Sequence, residues 1–530
     1  MKTKGKKVVK IVVAAAFGVA VAGYLAGAAY YGSHLMQDTV INGMAVSHKS
    51  AGQVKEAMAE YELVVCERAA DGSRLETKIT GEEVGLELTS KKAIQDIIKE
   101  QGVFSWIFSK EREYQIEDLV VLDEEKLSAV VDGLEGFHED KFQKPKDAYI
   151  SDYVSGKGYE LVPEVEGNQL RSKETLDAIR QAVLTMDEKI DLTKSGCYEI
   201  PSVTVKDAAL NQLYEKLSTY TGAEITYEFD GDTEVIDGDT INQWLKIKKN
   251  DVVIQKSKVE EFVASLRSKY DTIFTSRTFK TSYGKKVHIS GGDYGWWMNT
   301  PKEVEKIQNL IQKGKKVTRT PEYYQTANSY GENDYGDSYV EINLTAQHLF
   351  VYKKGKKVFE SDFVSGNTAA GNGTPEGTYS LTYKEEMAEL VGETYSTPVS
   401  YWMPFNGNIG MHDATWRSQF GGKLYAGGGS HGCINLPYAA AKKIFGYVEK
   451  GWPVVCYHLP GTESSKTTAQ DTASIAKSVI ESIDKIGKVT AASRKRIEHS
   501  RAIYNELSYS ERKLVTNYSK LVEAEAKLRG

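Results

Sequence analysis

The chain opens on an uncharged apolar run from Ile11 to Tyr31, preceded by Lys2, Lys4, Lys6, Lys7 and Lys10. A helix rises ~1.5 Å per residue, so about 20 apolar residues cross a ~30 Å hydrocarbon layer. The pattern predicts a single transmembrane helix over 11–31, with 1–10 as a cytoplasmic tail and Tyr30 and Tyr31 at the outer interface. The alternative is a cleaved signal peptide. Its apolar region is shorter, ~7–15 residues, and ends at small residues of the kind found in AGAAYYGS. Both readings put the remainder outside the membrane.

From residue 38 to about 320 the pattern repeats itself. A helix (Lys49–Ala59), two strands (Glu62–Cys66, Leu75–Ile79), Gly81 and a helix (Ser90–Lys99) are echoed further on. The second set is a helix (Lys206–Leu217), two strands (Glu224–Phe229, Glu234–Ile236), Gly238 and a helix (Lys258–Leu266). Each half closes alike, Tyr159–Gly167 before a helix at Lys173–Val183 and Val287–Gly295 before a helix at Pro301–Ile311. Thr300-Pro301-Lys302-Glu303 reads as a capping box with proline in the first turn. The expectation is two α+β modules, 38–190 and 200–318. They serve either as wall-polymer-binding units or as a spacer, and the pattern does not choose.

Residues 319–338, RTPEYYQTANSYGENDYGDS, read as a polar linker. Period-two alternation starts at Tyr339, with Val340, Ile342 and Leu344 on one face, and KKGKK at Lys353–Lys357 signals a hairpin. Further strands at Gly377–Tyr383 and Trp452–His458 and a helix at Tyr438–Val448 give a mainly β domain over 338–458. A second linker, 461–470, is Ser/Thr-rich. Helical periodicity then runs through Ile475, Val479, Ile483 and Ile486, through Ile497, Ala502 and Leu507, and through Leu514, Tyr518, Leu521 and Ala524. This predicts a three-helix bundle over 471–530.

Composition adds limits. A chain of 530 residues exceeds one core. Net charge is −6 without a basic stripe past the first ten residues, which argues against nucleic acid. Four cysteines, Cys66, Cys197, Cys433 and Cys456, make no disulfide framework and no zinc spacing, and a Cys66–Cys197 bridge stays open.

The candidate chemistry sits at Ser430-His431-Gly432-Cys433-Ile434-Asn435. A nucleophilic thiol needs a base, N–H donors for the oxyanion, and a backbone tight enough to expose sulfur. Gly427, Gly428, Gly429 and Gly432 permit such a turn. His412, in Gly410-Met411-His412-Asp413, stands upstream. Cys456, within VVCYHL, reads as a buried strand residue, and His348 and His458 as strand residues without a catalytic part. His431 and Cys433 alone are too few to hold zinc.

The SHGCIN motif with an upstream histidine resembles the signature of the L,D-transpeptidases, the YkuD-type fold. The 17 residues between His412 and Ser430 fit that family's spacing. So do Ile342–Leu349, Ser365-Gly366 and Thr374-Pro375-Glu376-Gly377-Thr378-Tyr379. The two modules resemble, more weakly, the peptidoglycan-binding repeats attached to such enzymes in Gram-positive bacteria. The resemblance implies Cys433 as nucleophile and His412 as general base and acid, with the Ser430 carbonyl orienting His412. It implies an oxyanion hole of the Gly432 and Cys433 N–H groups, His431 shaping the pocket, and Asn435 holding the loop. Tyr401, Trp402, Met403 and Phe405 are expected along the acyl-donor cleft. The implied reaction is a 3→3 cross-link between peptidoglycan stem peptides with loss of D-alanine. It uses no metal or cofactor and is open to inhibition by carbapenem-type β-lactams. An L,D-carboxypeptidase and a non-catalytic wall-binding protein are the alternatives.

Overall fold

The computed structural model describes residues 3–108, 110–392 and 396–529. Lys2 lies outside the described residues, as do the side chains of Lys4 and Lys6. Helix α1 (Thr3–Tyr31) carries an apolar stretch, Lys7–Tyr31, long enough to cross a membrane. By length and composition it is a candidate membrane span or a signal sequence. Two compact units divide the chain, Met1–Glu215 and Lys216–Gly530.

In the first unit Glu62–Arg68 and Arg74–Thr80 form a hairpin, and Lys189–Asp191 pairs parallel to the first of them. In the second unit Glu224–Phe229 and Asp232–Ile236 form a hairpin, with Lys316–Arg319 parallel to the first strand. Strand order is therefore the same in both: the returning strand, the first strand, the second. The hairpins are visible in the alternation of Val and Ile. The returning strands are short and arrive roughly 90 to 125 residues later, so local pattern does not reveal them. Cys66 and Cys197 are both buried and unbonded.

Helix α2 (Thr300–Gln312) corrects one local expectation. Its N-cap is Asn299, whose side chain accepts from the Lys302 N–H, and Thr300 is already helical. Glu303 does not fold back as a capping box. It is fully buried, bonded to Tyr227, paired with Arg319, and accepts the Glu322 N–H at 2.6 Å.

The stretch 319–338 is structured rather than a free linker. Tyr323–Gln325 pairs with Trp297–Met298. Trp296 stacks on Tyr330 at 4.2 Å. Asp334 is buried in a bidentate pair with Arg277, at 2.7 and 2.6 Å. Its polar composition reflects buried pairing partners, which composition alone does not distinguish from solvent-facing residues.

The catalytic region is built from two sheets. The first contains β1 (Tyr339–Asn343), β2 (His348–Lys353), β3 (Lys356–Asp362) and β4 (Gly377–Ser380), and the second β5 (Glu385–Val391), β6 (Ser396–Asn406) and β7 (Ile409–Asp413). Next come β8 (Gln419–Gly421), β9 (Ile434–Leu436), helix α3 (Tyr438–Tyr447), β10 (Pro453–Tyr457) and β11 (Thr467–Ala469). The sheet orders are β3-β2-β1-β10-β4 and β5-β6-β7-β9, with β8 paired to β11. The expected hairpin turn falls at Lys354-Gly355, both at positive φ. Leu349, Met403, Met411, Ile434, Leu436 and Ile444 fill the core between the sheets and α3. Val340 and Ile342 are buried as the alternation predicts, but Glu341 and Asn343 are buried too. Glu341 faces the preceding module, accepting from Ser282 N (2.8 Å), Ser282 Oγ (2.6 Å) and Tyr457 OH (2.6 Å). A shared core of Phe279, Ile289, Tyr294, Tyr335, Val455 and Tyr457 joins the second module to this domain.

The C-terminal residues form α4 (Thr472–Asp484), α5 (Arg494–Asn505), a short α6 (Tyr509–Arg512) and α7 (Tyr518–Arg529). Ile475, Val479, Ile483, Ile497, Ile503 and Leu521 form their common core. Leu507 lies beyond the end of α5, and Leu514 is exposed in the turn before α7. Segment 461–470 is anchored by the β8–β11 pairing and by Gln470, which is buried and accepts the Tyr438 N–H at 2.8 Å.

Candidate active site

The sulfur-bearing turn is defined by its backbone bonds. Gly432 has φ +124, and a Cβ there would meet Ile409 Cδ1 at 3.0 Å, so glycine is required. The Gly432 N–H donates to Ser430 Oγ at 3.1 Å, and Ser430 Oγ–H donates to the Cys433 carbonyl at 2.6 Å. From behind, Thr374 Oγ1 donates to the Gly432 carbonyl at 2.7 Å and accepts the Gly366 N–H at 3.1 Å. Gln347 bonds both the N–H and the Oγ of Ser365 at 2.8 Å. The sequence pieces around Gln347, Ser365-Gly366 and Thr374 thus converge on one loop. Asn435 locks its far side, exchanging two backbone bonds with Val364 (2.9 and 3.0 Å).

Strand register sets the base beside the thiol. In the parallel β7–β9 pair His412 lies opposite Asn435, two residues after Cys433, and Trp402 lies opposite His412 from β6. His412 is buried between the rings of Trp402 (5.8 Å) and Trp416 (5.9 Å). Its Nδ1 is 2.9 Å from the Asp413 carbonyl. A carbonyl only accepts, so Nδ1 carries the proton and Nε2 keeps a lone pair. Burial, with Arg417 nearby, pushes the imidazole down to about 4 against the pull of that hydrogen bond, and His412 is neutral near pH 7. The orienting carbonyl is therefore that of Asp413. The Ser430 carbonyl, expected in that role, accepts instead from Asn367 N at 2.8 Å.

Burial raises the Cys433 thiol above its ordinary range, partly offset by the Gly410 N–H. Its Sγ donates to the Asn408 carbonyl at 3.5 Å. The resting pair is a neutral thiol and a neutral imidazole, so the proton leaves sulfur during attack rather than before it. Of the two expected oxyanion donors, the Gly432 N–H is spent on Ser430, whereas the Cys433 N–H meets no acceptor among the described residues. Asp413 is buried and accepts the Ser400 and Tyr401 N–H groups at 3.1 and 2.8 Å. Burial lifts its carboxyl to about 6 despite those bonds.

Cys433, His412, Ser430, His431 and Asn435 line one cavity of about 320 Å³. His431 is exposed at its edge. None of Tyr401, Trp402, Met403 and Phe405, expected along the cleft, lines it. Strand alternation turns Tyr401, Met403 and Phe405 into the core, where Tyr401 packs on Tyr438 and Phe445, whereas Trp402 lies on the other face, behind His412 and in the cluster on which Cys433 packs. Sequence reasoning missed Trp416 and Arg417, which do line the cavity. Arg417 is half-buried, its Nε has no hydrogen-bond partner, and it has no carboxylate partner among the described residues. Nothing in the pattern of Ala414-Thr415-Trp416-Arg417 signals this beyond its closeness to His412. Cys456 is buried in β10, His348 pairs with Asp362 at 2.6 Å, and His458 with Glu376 at 3.0 Å.

Residues 337–456 match the family described as an L,D-transpeptidase catalytic domain, and residues 77–191 and 203–319 each match one described as a putative peptidoglycan binding domain. A cysteine-to-serine mutant of Enterococcus faecium L,D-transpeptidase is 34% identical, with 46% of this chain and 100% of that one covered (TM-score 0.38). The chain belongs to the L,D-transpeptidase family. The Ldtfm–avibactam carbamoyl enzyme is likewise 34% identical, over 47% of this chain and 98% of that one (TM-score 0.39). The catalytic domain of the E. faecium enzyme acylated by ertapenem is 43% identical, over 23% and 97% (TM-score 0.22). No curated protein matches this L,D-transpeptidase.

Proposed function

We propose that this L,D-transpeptidase forms 3→3 peptidoglycan cross-links through a Cys433 thioester. The observation that carries the reading is the pairing of a pinned thiol with a buried, Nδ1-protonated imidazole in one cavity. Cys433 Sγ attacks the carbonyl of the third stem residue as its proton passes to His412 Nε2. The oxyanion forms against the Cys433 N–H. The C–N bond to D-alanine breaks, and His412 returns the proton to the leaving amine. An amine of a neighbouring stem then displaces the thioester.

Arg417 supplies the donor specificity in this reading. Its unpaired, half-buried guanidinium suits the terminal carboxylate of the tetrapeptide, which a bidentate pair would hold. The modules at 77–191 and 203–319 would retain the enzyme on the wall polymer. Helix α1 would anchor it in the cell membrane, N-terminus inside. Supporting this, Lys7–Tyr31 is long and apolar enough to cross a bilayer and carries no charge after Lys10. Carbapenem-type β-lactams would acylate the same thiol, as ertapenem does in the E. faecium enzyme.

The test is incubation of the protein and of Cys433→Ala with a disaccharide-tetrapeptide, read by mass spectrometry. A dimer lacking one D-alanine, absent with Cys433→Ala, is expected. Tripeptide alone would make it a carboxypeptidase. No turnover and no carbapenem adduct would leave a wall-binding protein.

A further inference from the structure

The C-terminal helices lie outside the matched family segments, yet α5 walls a second cavity in the same unit as the active site. This cavity, about 690 Å³, lies between the β5–β6 hairpin and α5. Glu385 and Glu389 enter it from the hairpin, Glu498 from α5 and Glu506 from the end of that helix, against Lys495 as its cation among the described residues. Lys495 is already bound to Glu385 at 2.7 Å and Arg494 reaches Glu498 at 3.6 Å, so Glu389 and Glu506, without a cationic partner among the described residues, leave the wall acidic.

A second observation singles the cavity out. His499 lines it, is 7% exposed, and its Nε2 is buried without a hydrogen-bond partner. Burial, then Arg496 and Lys495, hold its imidazole near 4, so the ring is neutral and its Nε2 is a buried polar atom without a partner. Carboxylates beside a neutral imidazole fit a group that is positive and polar.

The cavity borders the catalytic pair. Ala388 and Trp402 line it and belong, with Val399, to the apolar cluster against which Cys433 packs, and the Trp402 indole lies 5.8 Å from the His412 ring. The wall is fixed in place: Lys485 and Arg496 reach Glu386 at 3.5 and 3.7 Å, and Lys442 bridges to Glu481 of α4 at 2.6 Å.

We propose that this acidic cavity receives the ammonium-bearing acceptor stem peptide, and that the C-terminal helices are its binding wall. The proposal rests on the transpeptidase reading above and adds where its second substrate lies. The ammonium first gives one proton to water. The free amine adds to the thioester carbonyl, the new C–N bond forms and the C–S bond breaks. The amine's second proton passes through His412 to sulfur, restoring the Cys433 thiol.

The test uses the full-length protein in detergent and the triple variant Glu389→Gln/Glu498→Gln/Glu506→Gln, three exposed positions outside the catalytic turn. Two half-reactions are followed, release of D-alanine with acyl-enzyme formation, and aminolysis of that acyl-enzyme. The variant should acylate within about twofold of wild type, while KM for the amine acceptor rises on the order of tenfold. Cleavage of the acyl-enzyme by hydroxylamine, which is neutral near pH 7, should not change. Wild-type acceptor KM should rise with salt, and that dependence should weaken in the variant. An acceptor KM unmoved by both the substitutions and salt overturns the proposal. Failure of wild type to release D-alanine overturns the transpeptidase reading, and the acceptor assignment falls with it.

Discussion

Thr374→Val tests whether the catalytic turn is held from behind. The two side chains have nearly the same shape, so packing survives while the hydroxyl goes. Thr374 Oγ1 makes two bonds, to the Gly432 carbonyl at 2.7 Å and from the Gly366 N–H at 3.1 Å, and the side chain is 6% exposed. Removing it leaves a buried donor and a buried acceptor unpaired. Each such group costs ~1–3 kcal/mol, and partial relaxation puts the sum at about 3 kcal/mol. In a domain of this size that lowers Tm by roughly 6–12 °C. The Gly432 carbonyl sits one peptide before Cys433, so its release lets the thiol wander from His412. A loss of ~1.4 kcal/mol in positioning slows acylation about tenfold. The assay is thermal unfolding beside the rate of carbapenem adduct formation, followed by intact-mass spectrometry. Thr374→Ser, which keeps the hydroxyl, should recover most of both. A Thr374→Val protein with unchanged Tm and an unchanged acylation rate would refute the clamp.

Four further outcomes are expected. With His412 held near 4, neutral base persists through mild acid, so the acid limb of kcat/KM should fall near pH 4 and not near the ordinary 6.5. Stability should show no single acid step. His412, depressed, contributes stability present above 6.5 and lost as pH falls through about 4. Asp413, raised from 3.8 to about 6, contributes stability present below 3.8 and lost as pH rises through about 6, so the two oppose across that window. A limb at 6.5 in a pH–rate profile would contradict the buried imidazole. Gly432→Ala should fold but acylate at least roughly tenfold more slowly by the same adduct assay, because φ +124 and the Ile409 contact both resist a Cβ. Asn299→Ala should cost about 1 kcal/mol in chemical denaturation through loss of the α2 cap, whereas Thr300→Ala should cost a few tenths at most.

What the chain declares locally and what it hides follow different physics. Ser430, His431, Gly432 and Cys433 are contiguous, so their chemistry is legible as a string. The alternation of Val340, Ile342 and Leu344 likewise announces a strand. Partners chosen by long-range pairing are not legible. The Asp413 carbonyl that orients His412 belongs to the next residue, yet which nearby carbonyl a ring nitrogen meets depends on the side-chain rotamer, which the motif does not state. The diversion of the Gly432 N–H to Ser430 depends on how the turn closes. Tyr401, Met403 and Phe405 were expected in the cleft because of their proximity to His412. Strand alternation, with their positions read against Trp402, would have separated the two faces, but nothing local says which face is core. Arg417 is a lone arginine in an unpatterned loop. Its meaning comes from being half-buried without an anion, which only packing reveals. The polar stretch 319–338 misleads for the converse reason. Asp334 and Tyr330 look like solvent-facing residues until Arg277 and Trp296 are brought to them.

The second module covers one edge of the catalytic sheet. Tyr294 N donates to the Thr378 carbonyl at 3.0 Å, Thr378 N donates to the Gly291 carbonyl at 3.1 Å, and Gly292, at φ +85, admits no side chain against β4. An uncovered edge strand is a site for pairing with other chains. The consequence reaches into how such proteins recombine. A crossover placed in the polar stretch before Tyr339 would give the incoming catalytic domain a bare β4 edge, and would strand Glu341 without Ser282. A crossover placed ahead of Arg277 would carry Ser282, Gly291 and Gly292 along, but would part Lys316–Arg319 from Glu224–Phe229 and split the second module's own core. The unit that can be exchanged intact is therefore the catalytic domain together with the whole second module.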